Sequence, residues 1–377
     1  MEMKIPFQKV LAAGLVLLVA IVILNSFFVF SLGKSLNVKL AEAKELAMPA
    51  KIEIIKLESS CTGCFDADAV IGALKNSGIE VSAEKSLPRN SQETLDLIKK
   101  YNIGKLPAIV LKGEIDKDTI PGFKKVEDAL VFDAITPPYE DTATKKAIGK
   151  VSAIIIKDSG CKVCMDLNLM VQNLKQNGVS IDKEKTLDSS GSEAKGLIGK
   201  HNITKVPVLL LSSDVGAYEG LAQSIGNMKS KDGSYYIIES QAPYIEAESG
   251  KLRGLAKLTL LNDSSCKECY NVDVHKSILA RFGVSVEEEK TVDAGSAEGK
   301  RLISKYSIKS VPTILLTGDL KVYGAFNSVW KQVGKVEADG AYIFTEISAM
   351  GPGISYKDTL TNEVKKVEAP QQESAQQ

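Results

Sequence analysis

The chain has 377 residues, 44% of them hydrophobic and 25% charged, with Lys+Arg and Asp+Glu both numbering 47. That length suits two to four globular domains, each able to bury a core, and the balanced charge gives no reason to expect nucleic acid or another polyanion as partner. Two histidines leave little material for a His-based metal site or a Ser-His-Asp triad.

From Val10 to Gly33 no residue is charged and almost all are apolar. About 20 such residues cross the hydrocarbon core as a helix, so residues 10–33 are expected to form one transmembrane helix. Lys4 and Lys9 flank one end; Lys34, Lys39 and Lys44 flank the other. A cleaved signal peptide is the alternative, but its apolar core usually runs to about 7–15 residues. The nearest small-x-small site, Ala41–Ala43, also lies well past the apolar run. The lysines are too even to set orientation. A short tail before a signal-anchor-like helix more often leaves the bulk of a chain outside the cytoplasm, which is the placement expected for this single-pass protein. Residues 34–49 read as an amphipathic juxtamembrane spacer.

The remainder repeats itself. All six cysteines fall in three pairs, Cys61-Thr-Gly-Cys64, Cys161-Lys-Val-Cys164 and Cys266-Lys-Glu-Cys269. Pro107, Pro207 and Pro312 each follow the second cysteine of a pair by 43 residues. The text around them matches as well: LIKKYNIGKLPAIVL, LIGKHNITKVPVLLL and LISKYSIKSVPTILL. A period of about 100 residues is too long for a solenoid repeat and right for a compact domain. Three modules are expected, at 50–136, 150–241 and 255–349, with a disordered tail at 362–377.

Within each module an apolar, β-branched run (IEIIKL, SAIIIK, AKLTLL) leads into the cysteine pair and reads as a buried strand. A helix follows, stopped at Asn76-Ser77-Gly78, Asn177-Gly178 or Phe282-Gly283. Next come a strand ending EKSL, EKTL or EKTV, a second helix, and an apolar strand opened by the proline. A short strand near Gly122, Gly220 or Gly324, a helix over KKVEDAL, QSIGNMK or NSVWKQVG, and a closing strand complete the unit. The expected class is α/β, with a mixed central sheet flanked by helices. TPPYEDTATKKAIG, QAPYIEAESGKLRG and GPGISYKDTLTNEV read as polar, proline-bearing linkers.

A strand running into Cys-x-x-Cys at a helix start, with a proline opening a later strand, resembles the thioredoxin superfamily over roughly residues 50–350. The resemblance implies cis bonds at Pro107, Pro207 and Pro312, beside the pairs. It also implies that Cys61, Cys161 and Cys266 are nucleophiles resolved by Cys64, Cys164 and Cys269. The pattern departs from thioredoxin itself: there is no Trp before the pair, no Gly-Pro within it, and no acid at Ile55, Ile155 or Leu260. Glu58, Asp158 and Asp263, three residues before each pair, are the candidate proton relays in its place. Asp66 and Asp166 read as helix caps.

A helix N-terminus would stabilise the first thiolate. Lys162 would add to that and make the second module the most oxidising of the three. Zinc is disfavoured as a ligand, because three pairs in separate units do not share out into Cys₄ sites, so no metal and no cofactor are called for. His201 and His275 read as ordinary helix residues, the latter partly exposed, and Trp330 as core. Two functions stay open: a membrane-anchored thiol–disulfide oxidoreductase working on protein thiols and disulfides or with a membrane electron donor, and a redox-silent interaction scaffold.

Overall fold

The computed structural model describes residues 48–369 apart from 118 and 133, together with 28, 30, 32, 34 and 38–40. Most of the 10–33 segment expected to cross a membrane lies outside the described residues; its described members Phe28, Phe30 and Leu32 are helical and exposed. Among the described residues no helix is long and apolar enough to cross a membrane. The chain divides into two compact units, Met1–Ile148 and Gly149–Gln377. The first holds one module and the second holds two.

In the first module, β1 (Lys51–Leu57) runs into the cysteine loop, followed by α1 (Ala67–Lys75), β2 (Glu80–Leu87) and α2 (Gln92–Tyr101). Then come β3 (Lys105–Leu106), β4 (Ala108–Gly113), β5 (Lys124–Val126) and β6 (Ala129–Phe132). The sheet order is β2-β1-β4-β6-β5, with β1 parallel to β2 and antiparallel to β4. Period-two alternation splits the central strands between two cores. Ile52, Ile54, Ile109 and Leu111 pack with Ile71 and Leu74 of α1, whose spacing puts them on one helix face. Ile55, Leu57, Ala108 and Val110 pack on the other side with Leu97 and Tyr101 of α2. Central strands buried on both faces explain why β1 reads as a nearly continuous apolar run.

KKVEDAL is not a helix. It folds as the β5–β6 hairpin, turning at Glu127, whose φ is 51°, and Asp128. Asp128 accepts from Lys100 Nζ at 2.6 Å and from the Tyr101 hydroxyl at 2.9 Å, which holds the turn on α2. The short strand expected near Gly122 forms as β5 just after it, whereas Gly220 and Gly324 lie in helices.

The first unit closes with β7 (Tyr139–Asp141) and β8 (Ala147–Ile148), and the second unit repeats the plan twice. The second module comprises β9 (Val151–Lys157), α3 (Asn168–Gln176), β10 (Ile181–Asp188), α4 (Ser192–His201), β11 (Lys205–Val206) and β12 (Val208–Ser212). It ends with α5 (Glu219–Ser224), β13 (Tyr235–Glu239), β14 (Tyr244–Glu246) and β15 (Leu252–Arg253). The third comprises β16 (Leu255–Asn262), α6 (Val274–Arg281), β17 (Ser285–Asp293), α7 (Ala297–Tyr306), β18 (Ser310–Val311) and β19 (Thr313–Gly318). It continues through α8 (Gly324–Val333), β20 (Gly334–Val336), β21 (Tyr342–Phe344), β22 (Ser355–Asp358) and β23 (Val364–Lys366). Sheet orders are β10-β9-β12-β13 and β17-β16-β19-β21-β20. Trp330 is core, packed on Phe326 and Tyr342.

The three segments read as linkers are folded parts of the modules. Each forms a hairpin that adds to the two residues ahead of the fixed-interval proline, giving small sheets β3-β7-β8, β11-β14-β15 and β18-β22-β23. The registers pair Leu106 with Glu140, Val206 with Ile245, and Val311 with Lys357. β23 also occupies the start of the tail expected to be disordered; residues 370–377 lie outside the described residues.

Candidate active sites

Each cysteine pair closes a disulfide within its own module, with Cα–Cα distances of 5.6, 5.6 and 5.5 Å for Cys61–Cys64, Cys161–Cys164 and Cys266–Cys269. All six cysteines are partly exposed. The bonds preceding Pro107, Pro207 and Pro312 are cis. In the third module Cys269 Sγ lies 4.0 Å from the carbonyl oxygen of Val311, so the pair and the proline loop adjoin.

The pairs do not sit on the first turn of a helix, as the sequence suggested. α1, α3 and α6 begin at Ala67, Asn168 and Val274, after the loops that hold the cysteines. The hairpins compete for the backbone here. The Phe65 amide donates to the Pro138 carbonyl and the Tyr270 amide to the Ser355 carbonyl, both at 2.9 Å. Asp66 caps α1, accepting from the Asp68 amide at 2.9 Å. Asp166 and Asn271 instead close turns at the entry to α3 and α6, accepting from the Asn168 amide at 3.0 Å and the Asp273 amide at 2.9 Å, and neither stands at an N-cap. Helix-end stabilisation fades within one turn, and in the first module the Asp66 carboxylate also offsets it. The thiolates therefore depend on nearer charges.

Those charges surround the residue just before the first cysteine of each pair. Asp158 accepts from the Gly160 amide at 2.8 Å and Asp263 from the Ser265 amide at 2.9 Å. Both are turns closed by an Asp on the amide two residues on. Burial alone would raise the Asp263 carboxyl, but the Ser265 hydroxyl, Lys357 and the Ser265 amide outweigh it and hold Asp263 below the usual range. The Asp263 carboxylate so held shapes the loop ahead of Cys266. Glu58 differs: it accepts from the Ser86 hydroxyl at 2.7 Å, away from the turn.

In the first module the turn is held by Glu140, which the sequence reading missed. Its Oε2 accepts from the Ser60 amide and hydroxyl, both at 2.8 Å, and from the Ser59 hydroxyl at 2.9 Å, while Oε1 meets Arg89 Nε. Glu140 is only 2% exposed. Burial pushes its pKa up, and Arg89, Ser60 and Ser59 together bring it below the ordinary value. The second and third modules add Asp188, which accepts from the Ser159 amide at 3.1 Å, and Asp293, which accepts from the Ser264 amide at 2.8 Å. Pro88 stands at that place in the first module, and Glu140 takes over. The only sequence signal for Glu140 and Lys357 was an ionisable residue inside an apparent linker.

His275 is buried rather than partly exposed, and its Nε2 lies 3.0 Å from the Tyr270 hydroxyl. The His201 side chain is also buried, 3.9 Å from Asp232 through Nδ1. Among the described residues no group of three or more His, Cys, Asp or Glu is placed to hold a metal ion.

No family model and no curated protein sequence matches the chain. Among solved structures, the chain is similar to a mutant of the alkylhydroperoxide reductase protein AhpF from Enterococcus faecalis, at 19% identity over 45% of this chain and 83% of that one, with a TM-score of 0.15. A protein disulfide oxidoreductase from Aeropyrum pernix matches at 16% identity over 45% and 81%, TM-score 0.14. Human ERp44 matches at 12% over 77% and 82%, TM-score 0.14. Scores this low leave the fold to rest on the chain's own topology. Three times a parallel βαβ unit carries a Cys-x-x-Cys loop, and a cis-proline opens an antiparallel partner strand on the same sheet. The described residues form a tandem of three modules with a thioredoxin-like fold.

Proposed function

We propose that this protein is a membrane-anchored thiol–disulfide oxidoreductase. The observation that carries the reading is a pair of partly exposed sulfurs at disulfide distance, present three times, each in a module with a cis-proline, whose loop adjoins the pair in the third. A structural disulfide gains from burial; a catalytic one must be reached by another sulfur. In the reduced module the thiolate of Cys61, Cys161 or Cys266 attacks one sulfur of a partner disulfide and expels the other as thiolate. Cys64, Cys164 or Cys269 then attacks the mixed disulfide, releasing the second partner thiol and leaving the module oxidised. Two electrons pass from module to partner, and the reverse sequence oxidises a partner dithiol.

The second module carries exposed Val163, Met165 and Leu169 around its pair, which suits a protein partner with apolar residues near its own sulfurs. The apolar run at 10–33 supports the anchor, with the modules placed outside the cytoplasm. Single Cys→Ser changes at Cys61, Cys161 and Cys266, and the triple change, test the activity in an insulin-reduction assay on the detergent-solubilised chain. We expect stepwise loss and an inactive triple variant. An inactive wild-type chain would favour the interaction scaffold. Deleting residues 1–33 should move the protein from a carbonate-washed membrane pellet to the supernatant.

A further inference from the structure

Glu140, Ile245 and Lys357 hold one equivalent register position in the three hairpins, opposite Leu106, Val206 and Val311, and they differ in charge. Glu140 bonds both serines that precede Cys61. Lys357 Nζ donates to Asp263 at 2.9 Å and to the Ser265 hydroxyl, the residue before Cys266, at 3.1 Å. Ile245 brings no charge. The first hairpin therefore bonds an anion and the third a cation to the residue just before the first cysteine of the pair, while the same register position of the second hairpin is neutral.

We propose that the hairpin position opposite the residue before the cis-proline is a redox-positioning site, and that Glu140, Ile245 and Lys357 set how readily their pairs are reduced. The proposal rests on the exchange reading of the pairs. Reduction by a small thiol breaks the module's S–S bond, forms one between two thiol molecules, and transfers their two protons to the module's sulfurs or, where a thiolate forms, to water. Whatever stabilises the module's thiolate favours the dithiol. Glu140 opposes the Cys61 thiolate through its part-buried bonds to Ser59 and Ser60, with Arg89 compensating at the other carboxylate oxygen. Lys357 favours the Cys266 thiolate and neutralises Asp263. Ranking the modules on Lys162 alone leaves these charges out. Glu58, Lys162, Lys267, Glu268, Asp188 and Asp293 also lie near the loops, but they stay constant within each comparison below.

The test uses the full chain in detergent, with two pairs changed to Ser so that one pair reports. Each protein is equilibrated in glutathione buffers at pH 7, acid-quenched, and scored for dithiol and disulfide by mass-tagged alkylation. A change of one unit in thiolate pKa corresponds to about tenfold in equilibrium. Glu140→Gln should shift Cys61–Cys64 about tenfold toward dithiol, and Lys357→Met should shift Cys266–Cys269 about tenfold toward disulfide. Glu140→Gln leaves Arg89 buried without its partner and can unfold the module. Ile245→Lys, expected to shift Cys161–Cys164 toward dithiol, and Lys357→Met, checked for folding by Trp330 fluorescence, then decide the matter. Shifts of the same sign for Lys357→Met and Ile245→Lys, or shifts below twofold, would overturn the proposal while leaving the exchange reading intact. Wild-type pairs that do not exchange with glutathione at all would overturn both.

Discussion

His275 lies in α6 at 3% exposure, where the first and second modules have Val70 and Met170. The Tyr270 hydroxyl donates to the Pro312 carbonyl at 2.9 Å, which leaves its oxygen to accept from His275 Nε2–H. Burial pushes the imidazole down to about 4 from its usual 6.5. An unfolded chain therefore takes up a proton that the native third module refuses. Stability is complete above the unfolded pKa and falls as pH drops from there toward 4. The linkage integral gives a loss of about 2 kcal/mol at pH 5 relative to pH 7. The chain's single tryptophan, Trp330, packs in this module's core, so its fluorescence during urea unfolding reports on this module. His275→Met removes the titration. The lost bond to Tyr270 costs about 1 kcal/mol at both pH values and cancels in the difference. Wild type should thus lose about 2 kcal/mol more than His275→Met between pH 7 and pH 5. Equal losses would refute the assignment of His275 as a buried neutral group.

Gly318 has a φ of 113°, and an added Cβ would sit 2.4 Å from the Leu255 carbonyl oxygen. Gly318→Ala should lower the third module's stability by more than about 2 kcal/mol, seen as an earlier Trp330 unfolding midpoint. Lys162 is exposed between Cys161 and Cys164. Lys162→Glu should move that pair severalfold toward disulfide in glutathione buffers, and the effect should shrink in high salt because the charge is solvated.

The parts of the structure readable in advance are those whose signal is local. β1, β9 and β16 show as apolar runs because both faces of a central strand are buried. α1 and α2 show as three-to-four spacing with stop signals, and Trp330 shows as core because it sits on the apolar face of α8. KKVEDAL carries residues compatible with a helix, and only the sheet edge beside β6 and the anchoring of Asp128 on α2 make it a hairpin. His275 looks like one polar residue on a helix; its burial depends on Phe344 and Tyr270, brought beside it by the fold.

The cysteine pairs and their interval to a proline were decided by the amino-acid order alone. That order determined three repeats, three sites and the sulfur chemistry available to them, because a dithiol within one turn of chain needs no distant partner to be recognised. What governs each pair was decided only by tertiary structure. Glu140 reaches Ser60 across 80 residues and Lys357 reaches Asp263 across 94. Strands of two to four residues such as β7 and β22 carry no period of their own and form only by pairing with β3 and β18. Charge placed by a ladder that short has no local signature, so two segments that looked like linkers came to bond the loops ahead of Cys61 and Cys266.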